Sequence, residues 1–159
     1  MTSTTAVALA LGSNLGDRER YLHQALADLG SSIAGLRVSA FHDTDPVGVR
    51  EQPRFLNAAA TGRTALSAHD LLETFLEVER QYGRTRPHPG APRTLDLDLI
   101  LYGAHIVDEP NVQIPHPRFR DRLFVLRPLV EIAADWVDPV TGHTVEDLLR
   151  LLQPRSSRD

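Results

Sequence analysis

The sequence predicts an α+β fold of the ferredoxin-like type: a βαββαβ antiparallel sandwich followed by a hairpin and short helices. The predicted elements follow one another as strand, helix, strand, strand, helix, strand, which is the pattern of that fold. The chain has 159 residues, of which 42% are hydrophobic, enough to bury the core of one globular domain. We therefore expect a single domain over residues 1–159 with a frayed tail at 153–159, helices on one face of the sheet and an open opposite face.

Four strands and two helices are predicted from hydrophobic spacing and turn residues. In chain order they are the strand Thr5 to Leu11, the helix Arg18 to Leu29, the strands Leu36 to His42 and Phe55 to Thr61, the helix from its N-cap Ser67 to Gly83, and the strand Leu95 to Leu101. Gly30 closes the first helix, and Gly62 ends or bulges the third strand. Arg84 to Arg93 contains three prolines and a glycine, so it is predicted to be an irregular loop.

The rest of the chain forms an appendix to this pattern. Ala104 to Val107 and Val112 to Ile114 flank a turn and predict a small hairpin. Phe119 to Ile132 is predicted to hold one or two short helical turns, and Thr144 to Leu152 a short amphipathic helix.

The most informative strip, PRTLDLDLILY, covers Pro92 to Tyr102. Alternation along a strand places the leucines from Leu95 to Leu101 on one face, and Asp96 and Asp98 on the other, about 7 Å apart. Aspartate is depleted in strands, so two on one face need a reason. They are candidate oxygen ligands for magnesium. The alternative is a solvent-facing strand with two charges that have no role.

The composition excludes several chemistries. All 17 basic residues are arginine, so a phosphate loop of the Walker type and lysine-based catalysis are both excluded. The absence of cysteine excludes disulfides, thiolate metal sites and a cysteine nucleophile. The net charge of -4 argues against a dedicated nucleic-acid binder, and no apolar run approaches the roughly 20 residues of a membrane helix. We expect a cytoplasmic protein that binds neither nucleic acid nor membrane.

Arginines cluster immediately before the aspartates, at Arg80, Arg84, Arg86 and Arg93. A metal-holding pair of acids preceded by an arginine-rich loop fits a polyphosphate–metal site, and the loop could close over it as a lid. The alternative is a solvated loop with loose ion pairs.

Other side chains suit the binding of a ligand. Phe55 and Asn57 share a strand face, and a ring beside an amide suits a flat heterocycle that forms hydrogen bonds. His116 lies between prolines in a loop followed by a second arginine group and could donate to a phosphate or ribose. The alternatives are a core position for Phe55, a strand-edge position for Asn57 and a structural role for His116.

Together these segments resemble one family, the 6-hydroxymethyl-7,8-dihydropterin pyrophosphokinases of folate biosynthesis. The likeness runs from about residue 6 to residue 149. The segments that carry it are LGSNLGD at Leu11 to Asp17, FLNAA at Phe55 to Ala59, YGRTR at Tyr82 to Arg86, PRTLDLDLILYG at Pro92 to Gly103, and IPH with the R-x-F at Arg122 to Phe124.

The resemblance implies a ferredoxin-like α+β enzyme that transfers pyrophosphate from ATP to the pterin hydroxymethyl group and releases AMP. It implies two Mg²⁺ ions on Asp96 and Asp98, and two catalytic loop arginines, Arg84 and Arg93. The implied ATP contacts are Glu79, Arg84, Arg86, Arg93, Leu99, His116 and Arg122. The implied pterin contacts are Thr44, Asp45, Val47, Phe55, Asn57 and Phe124.

On this interpretation the partners are small molecules, ATP and the pterin, and the protein is expected to be a monomer. Two rival functions remain. A metal-dependent nucleotidyltransferase would release pyrophosphate instead of AMP, and a non-catalytic ferredoxin-like module would bind a ligand without consuming ATP.

Overall fold

The computed structural model describes residues 3–44, 54–82 and 94–153. In chain order, the elements of the described residues are β1 (Thr5–Ser13), α1 (Arg18–Leu29), β2 (Ala34–Val38), β3 (His42–Thr44), β4 (Phe55–Thr64), α2 (Ala68–Gln81), β5 (Asp96–Tyr102), β6 (Val107–Glu109), β7 (Val112–Ile114), a 3-10 turn (Phe119–Asp121), α3 (Leu123–Ala133) and α4 (Val145–Leu152). Among the described residues, no helix has both the length and the apolar composition needed to cross a bilayer.

The main sheet is antiparallel throughout and runs β2-β4-β1-β5, with β3 also paired to β4. The mixed α and β architecture is therefore confirmed, as are the bounds of α1 and the existence of the small hairpin β6-β7. The second strand of the hairpin has the predicted bounds, but the first lies at Val107–Glu109 and not at Ala104 to Val107. The prediction of one strand from Leu36 to His42 was wrong, because β2 and β3 are separate. Ser39 interrupts them: its N–H donates to Ala59 O, while its hydroxyl accepts from Ala59 N, both at 2.9 Å. A side chain thus replaces a backbone ladder partner at this position.

Two apolar cores lie on the two faces of this sheet. The first contains Val7, Leu9 and Leu11 of β1 together with buried residues of α1 and α2. The second contains Ala8 and Ala59 of the sheet together with buried residues of α3 and α4. The expectation of an open opposite face was therefore wrong, because the C-terminal helices cover much of it and bury their own apolar stripes.

Leu101 lies on the opposite face from the one predicted. The register of β1 against β5 shifts between Ala8 and Leu9, which lie opposite Leu101 and Leu99. Ile100 is the extra residue of this irregularity, and such a bulge reverses the facing of every side chain beyond it. Leu101 consequently joins Ile100 in the second core, whereas Leu99 belongs to the first.

Gly62 does not end its strand, which continues to Thr64. The β2 register is irregular opposite this glycine, as the alternative of a bulge predicted. A Cβ at Gly62 would lie 2.4 Å from Ile33 Cγ2 and 2.8 Å from Ala34 O, so the close approach of the β2 side requires glycine.

The helix α3 is longer than the one or two turns predicted. Its Pro128 removes a single backbone hydrogen bond, whereas burial of Val125, Leu126 and Leu129 stabilises the helix against the sheet. The N-cap predicted for α2 is confirmed, and α4 has an N-cap that was not predicted. Ser67 accepts from Asp70 N, and Thr144 forms a capping box with Asp147.

A buried ion pair ties the C-terminal turn to the segment that precedes α3. The fully buried Asp138 accepts from Arg120 Nε and Nη2 at 2.5 and 2.9 Å, from Thr141 Oγ1 at 2.6 Å and from Val140 N at 3.1 Å. Burial alone would raise the pKa of Asp138, but these donors outweigh it and lower the pKa from 3.8 to about 2.

Substitution of Asp138 by asparagine is expected to lower the free energy of unfolding by about 3 kcal/mol, because the Arg120 guanidinium loses its anionic partner. Since the folded pKa lies below the unfolded value, the stabilisation is complete above pH 3.8 and is lost as the pH falls towards 2. Urea unfolding of D138N at neutral pH measures the effect, with the exposed Asp135→Asn as control. Equal stability of the two variants would contradict it.

Candidate active site

Three neighbouring strands place Asp96, Gly12 and Asn57 in one row at the end of the sheet. Gly12 lies opposite Asn57 on β4 and opposite Asp96 on β5. Directly opposed residues point to the same face, here the α3 side. Two strand spacings separate the backbones of Asn57 and Asp96 by about 10 Å, with no side chain between them at Gly12. This row, Asp96–Gly12–Asn57, is called the slot below.

The next row of opposed residues along the three strands also has small side chains on β1 and β4. Asp98 lies opposite Ala10, which lies opposite Ala59. Asp96 and Asp98, each partly buried, therefore lie side by side on β5, at one edge of a surface formed by glycine and alanine residues. The predicted sharing of a face by the two aspartates is confirmed.

The carboxylates of Asp96 and Asp98 suit a magnesium ion, which needs few protein ligands, better than a metal ion that is coordinated entirely by protein side chains. Within the described ranges, no group of three or more His, Cys, Asp or Glu side chains is placed to hold a metal. Magnesium usually takes one or two carboxylates and completes its shell with water and substrate phosphates. Asp96 and Asp98 supply such a pair, so metal and phosphate are expected to bind together.

The side-chain oxygen of Asn57, Oδ1, lies close to Gly12 in the slot. Its side chain is 6% exposed, and its Nδ2 donates to Thr44 Oγ1 at 2.5 Å. A Cβ built on Gly12 would lie 3.0 Å from Asn57 Oδ1 and 3.8 Å from Phe55 Cδ1. Phe55, Asn57 and Gly12 are therefore in immediate contact range, and the amide oxygen is available to accept from a ligand donor over Gly12.

A cavity of about 290 Å³ brings two further predicted residues together. It is lined by His42, Asp43, Thr44, Leu123, Phe124, Arg127 and Pro128. Thr44 comes from β3 and Phe124 from the start of α3, so the two sides of this cavity are 80 residues apart in sequence. His42 was not among the predicted site residues, although it shares the face of Thr44 by the two-residue period of a strand.

Ionic contacts hold β3, which carries Thr44, in place. Asp43 accepts from Arg18 Nη1 at 3.2 Å and from Arg54 Nε at 3.0 Å, and these hydrogen bonds lower its pKa. Glu131 of α3 accepts from His42 Nε2 at 2.6 Å and from Ala40 N at 2.8 Å. These contacts connect the short strand to both α1 and α3.

His116 lies at the outer edge of β5, where its backbone N–H donates to Ile100 O at 3.0 Å. Burial, then Arg122 and Arg118, lower the pKa of its imidazole to about 4, against an opposing effect of Asp96. Arg118 N donates to Nδ1 at 3.1 Å. A neutral ring that accepts at Nδ1 carries its proton on Nε2, so His116 can donate from Nε2.

The predicted nucleotide residue Arg122 and the predicted pterin residue Phe124 contact each other. The guanidinium carbon of Arg122 lies 5.5 Å from the centre of the Phe124 ring, within range of a cation–π interaction. The two predicted binding regions therefore adjoin at the start of α3.

The side chains of Glu79 and Leu99, two predicted ATP contacts, are both buried. Glu79 is 3% exposed, and its Oε2 accepts from Leu97 N at 2.8 Å. The Leu99 side chain, 4% exposed, is packed in the first core, so a ligand could meet only its backbone groups. The predicted residues Arg84, Arg86, Arg93, Asp45 and Val47 lie outside the described residues.

Comparisons with known proteins agree on one family. A family model described as 7,8-dihydro-6-hydroxymethylpterin-pyrophosphokinase (HPPK) matches residues 8–134. The chain is 40% identical over 154 residues to the 2-amino-4-hydroxy-6-hydroxymethyldihydropteridine pyrophosphokinase of Bacillus subtilis, covering 95% of this chain and 92% of that protein. It is 43% identical over 154 residues to the pyrophosphokinase of the same name from Methylorubrum extorquens, covering 94% and 95%.

The fold is also similar to that of solved structures. Wild-type HPPK-DHPS of Plasmodium falciparum matches with a TM-score of 0.78 at 12% identity, over 99% of this chain and 46% of that one. At this identity the likeness concerns the fold alone, and the chain spans less than half of that longer protein.

Proposed function

This chain belongs to the 7,8-dihydro-6-hydroxymethylpterin-pyrophosphokinase family, and we propose that it transfers the pyrophosphoryl group of ATP to the hydroxymethyl group of 6-hydroxymethyl-7,8-dihydropterin. The products are AMP and the pterin diphosphate, an intermediate of folate biosynthesis. The observation that carries this proposal is the slot. It places a buried amide acceptor and a magnesium-type carboxylate pair at the two ends of a gap without a side chain.

The acceptor ring lies over Gly12 in this proposal. Asn57 Oδ1 accepts from the amino-substituted edge of the pterin, Thr44 supports the Asn57 amide, and Phe55 and Phe124 provide aromatic surface for stacking. Asp45 and Val47 complete the pocket by resemblance. A ring anchored at Asn57 directs its hydroxymethyl group towards Asp96, because the slot runs from one to the other.

Asp96 and Asp98 would hold two magnesium ions, which when bound polarise the phosphates and neutralise charge that develops during transfer. The pterin oxygen forms a bond to the β-phosphorus as the bond from that phosphorus to the α-phosphate oxygen breaks, and AMP leaves. Asp98 is the candidate acceptor of the hydroxyl proton. These residues therefore orient both reactants around one carboxylate pair.

The triphosphate and the nucleoside lie along the outer edge of β5 in this proposal. His116 donates from Nε2, and Arg122 pairs with phosphate beside Phe124. Arg84, Arg86 and Arg93 neutralise further phosphate charge, with Arg84 and Arg93 acting in catalysis. Leu99 offers backbone groups to the nucleoside.

Product analysis tests the proposed function directly. Purified protein is incubated with ATP, magnesium and the reduced pterin, and nucleotides are separated by ion-exchange chromatography. AMP formed in equal amount to pterin diphosphate is the expected result. Release of pyrophosphate would favour a nucleotidyltransferase, and ligand binding without ATP consumption would favour a non-catalytic module.

His116 is expected to stay neutral throughout pH 6–8, because its pKa is lowered to about 4. Long-range ¹H–¹⁵N correlation spectra should report the Nε2–H tautomer across this range. Of two substitutions, His116→Gln places an amide N–H close to the position of Nε2 and should keep more ATP affinity than His116→Asn. Protonation of the ring near pH 6.5, or a stronger ATP complex with H116N, would contradict the assignment.

The same proposal includes the finer description of the molecule. The strand order β2-β4-β1-β5 with every neighbouring pair antiparallel supports assignment to the ferredoxin-like class. A single domain over residues 1–159, a monomeric state, the number of magnesium ions and a cytoplasmic location remain predictions. Light scattering of the purified protein and a magnesium titration test the second and third of these.

A further inference from the structure

Glu79 is an acidic residue in an unfavourable electrostatic position. It is 3% exposed and lies in the last turn of α2, where the helix dipole disfavours a negative charge. Its contact on β5 lies between Asp96 and Asp98, two more carboxylates. Burial, the helix dipole and like charges all oppose an ionised group here, and a hydrogen bond from Leu97 N is one of the contacts that offset this cost.

That contact is with the peptide between the two aspartates. Glu79 Oε2 accepts from Leu97 N at 2.8 Å. In the sheet of the described residues β5 is the outermost strand, so no further strand offers this N–H a ladder partner. A side chain of α2 therefore takes the place of a neighbouring strand at Leu97.

We infer that Glu79 is a positioning residue, which holds the Leu97 peptide and thereby fixes the separation and facing of Asp96 and Asp98 for magnesium. Rotation of this peptide would turn the two flanking carboxylates relative to each other. Groups that orient metal ligands through such contacts are commonly worth about 10- to 100-fold in metal affinity. The inference rests on the proposed metal site, and it gives Glu79 a role other than the ATP contact that the resemblance implied.

Two conservative substitutions separate hydrogen bonding from charge. Glu79→Gln keeps the length of the side chain and an oxygen that can accept from Leu97 N, but it removes the charge. Glu79→Asp keeps the charge, but it is one methylene shorter and cannot keep the present contact without movement of α2. Glu77→Gln is the matched control, because Glu77 is an exposed acid of the same helix whose side chain is 61% accessible.

Metal affinity is measured with Mn²⁺ by electron paramagnetic resonance, in the presence of a saturating non-hydrolysable ATP analogue, alongside ATP affinity in EDTA and thermal unfolding. E79D is expected to weaken Mn²⁺ binding by about 10-fold or more, and E79Q to stay within a few-fold of the unmodified protein. In turnover assays, added magnesium should restore kcat in E79D. ATP affinity in EDTA should not change.

Three results would overturn the inference: unchanged Mn²⁺ affinity in E79D, a larger loss in E79Q than in E79D, or a loss confined to ATP affinity. The second would show that charge matters, and the third that Glu79 contacts the nucleotide. The Asp96→Asn variant tests the metal site separately from the role of Glu79. If D96N does not weaken Mn²⁺ binding, the proposed metal site itself is wrong, whatever the behaviour of the Glu79 variants.

Discussion

Replacement of Asp96 by asparagine is expected to reduce the rate of AMP formation by about 10³-fold or more, with little change in the melting temperature. Metal-assisted stabilisation of transition-state charge is worth several kcal/mol, and each 1.36 kcal/mol corresponds to about a factor of ten in rate. Asparagine keeps the shape of the side chain but removes the charge that attracts magnesium. Asp98→Asn should give a loss of similar size, because the two carboxylates share one face of β5.

The measurement is steady-state AMP production at saturating ATP, magnesium and pterin, with far-ultraviolet circular dichroism to verify the fold. Asp108→Asn is the control, since Asp108 is an exposed aspartate of β6 outside the site. Turnover of D96N within about tenfold of the unmodified protein would remove the metal assignment. If D96N does not fold, the turnover of D98N tests the metal assignment in the same way, with the same limit of about tenfold.

Substitution of Gly12 by valine is expected to lower kcat/KM for the pterin by about 100-fold, because misplacement of a reactant by about 1 Å can cost that much. A single Cβ at this position already meets Asn57 Oδ1 at 3.0 Å, so the branched side chain must push Asn57 aside or occupy the slot. The smaller Gly12→Ala change should give an intermediate loss. ATP affinity should change little, since the predicted ATP contact His116 lies at the outer edge of β5, away from Gly12.

Initial rates over a range of pterin concentrations, together with binding of a non-hydrolysable ATP analogue, separate these effects. Gly30→Ala serves as the control, because Gly30 has helical backbone angles at the end of α1 and lies away from the slot. A pterin KM unchanged in G12V, or an equal loss of ATP-analogue affinity, would show that Gly12 does not border the acceptor site.

Local patterns in the sequence predict the elements that depend on local interactions. The bounds of α1, the N-cap Ser67 and the shared face of Asp96 and Asp98 all agree with the structure. Each of these depends on residues within one or two turns of each other, or on the two-residue period of a strand. The observed helix α3 shows the limit of this approach: only one or two short turns were predicted there, yet packing against the sheet stabilises a continuous helix that contains Pro128.

The residues of the candidate site were found in the sequence, but their arrangement was not. The resemblance named Asn57 and Asp96, whereas the register of β1 against its two neighbours places them on either side of Gly12. The ATP contact of Glu79 stays a prediction, and the hydrogen bond from Leu97 N to its carboxylate, 18 residues further along the chain, was not predicted.

By itself, the sequence determined the element types, the exclusion of lysine and cysteine chemistry, and the pairing of two acids on one strand face. These follow from residue chemistry and from backbone periods that act over a few residues. Tertiary structure alone decided the facing of Leu101, the covering of the second sheet face, and the slot between Asn57 and Asp96. Those features depend on strand register and on helix packing between segments distant in sequence, where a shift of one residue reverses the face of a side chain.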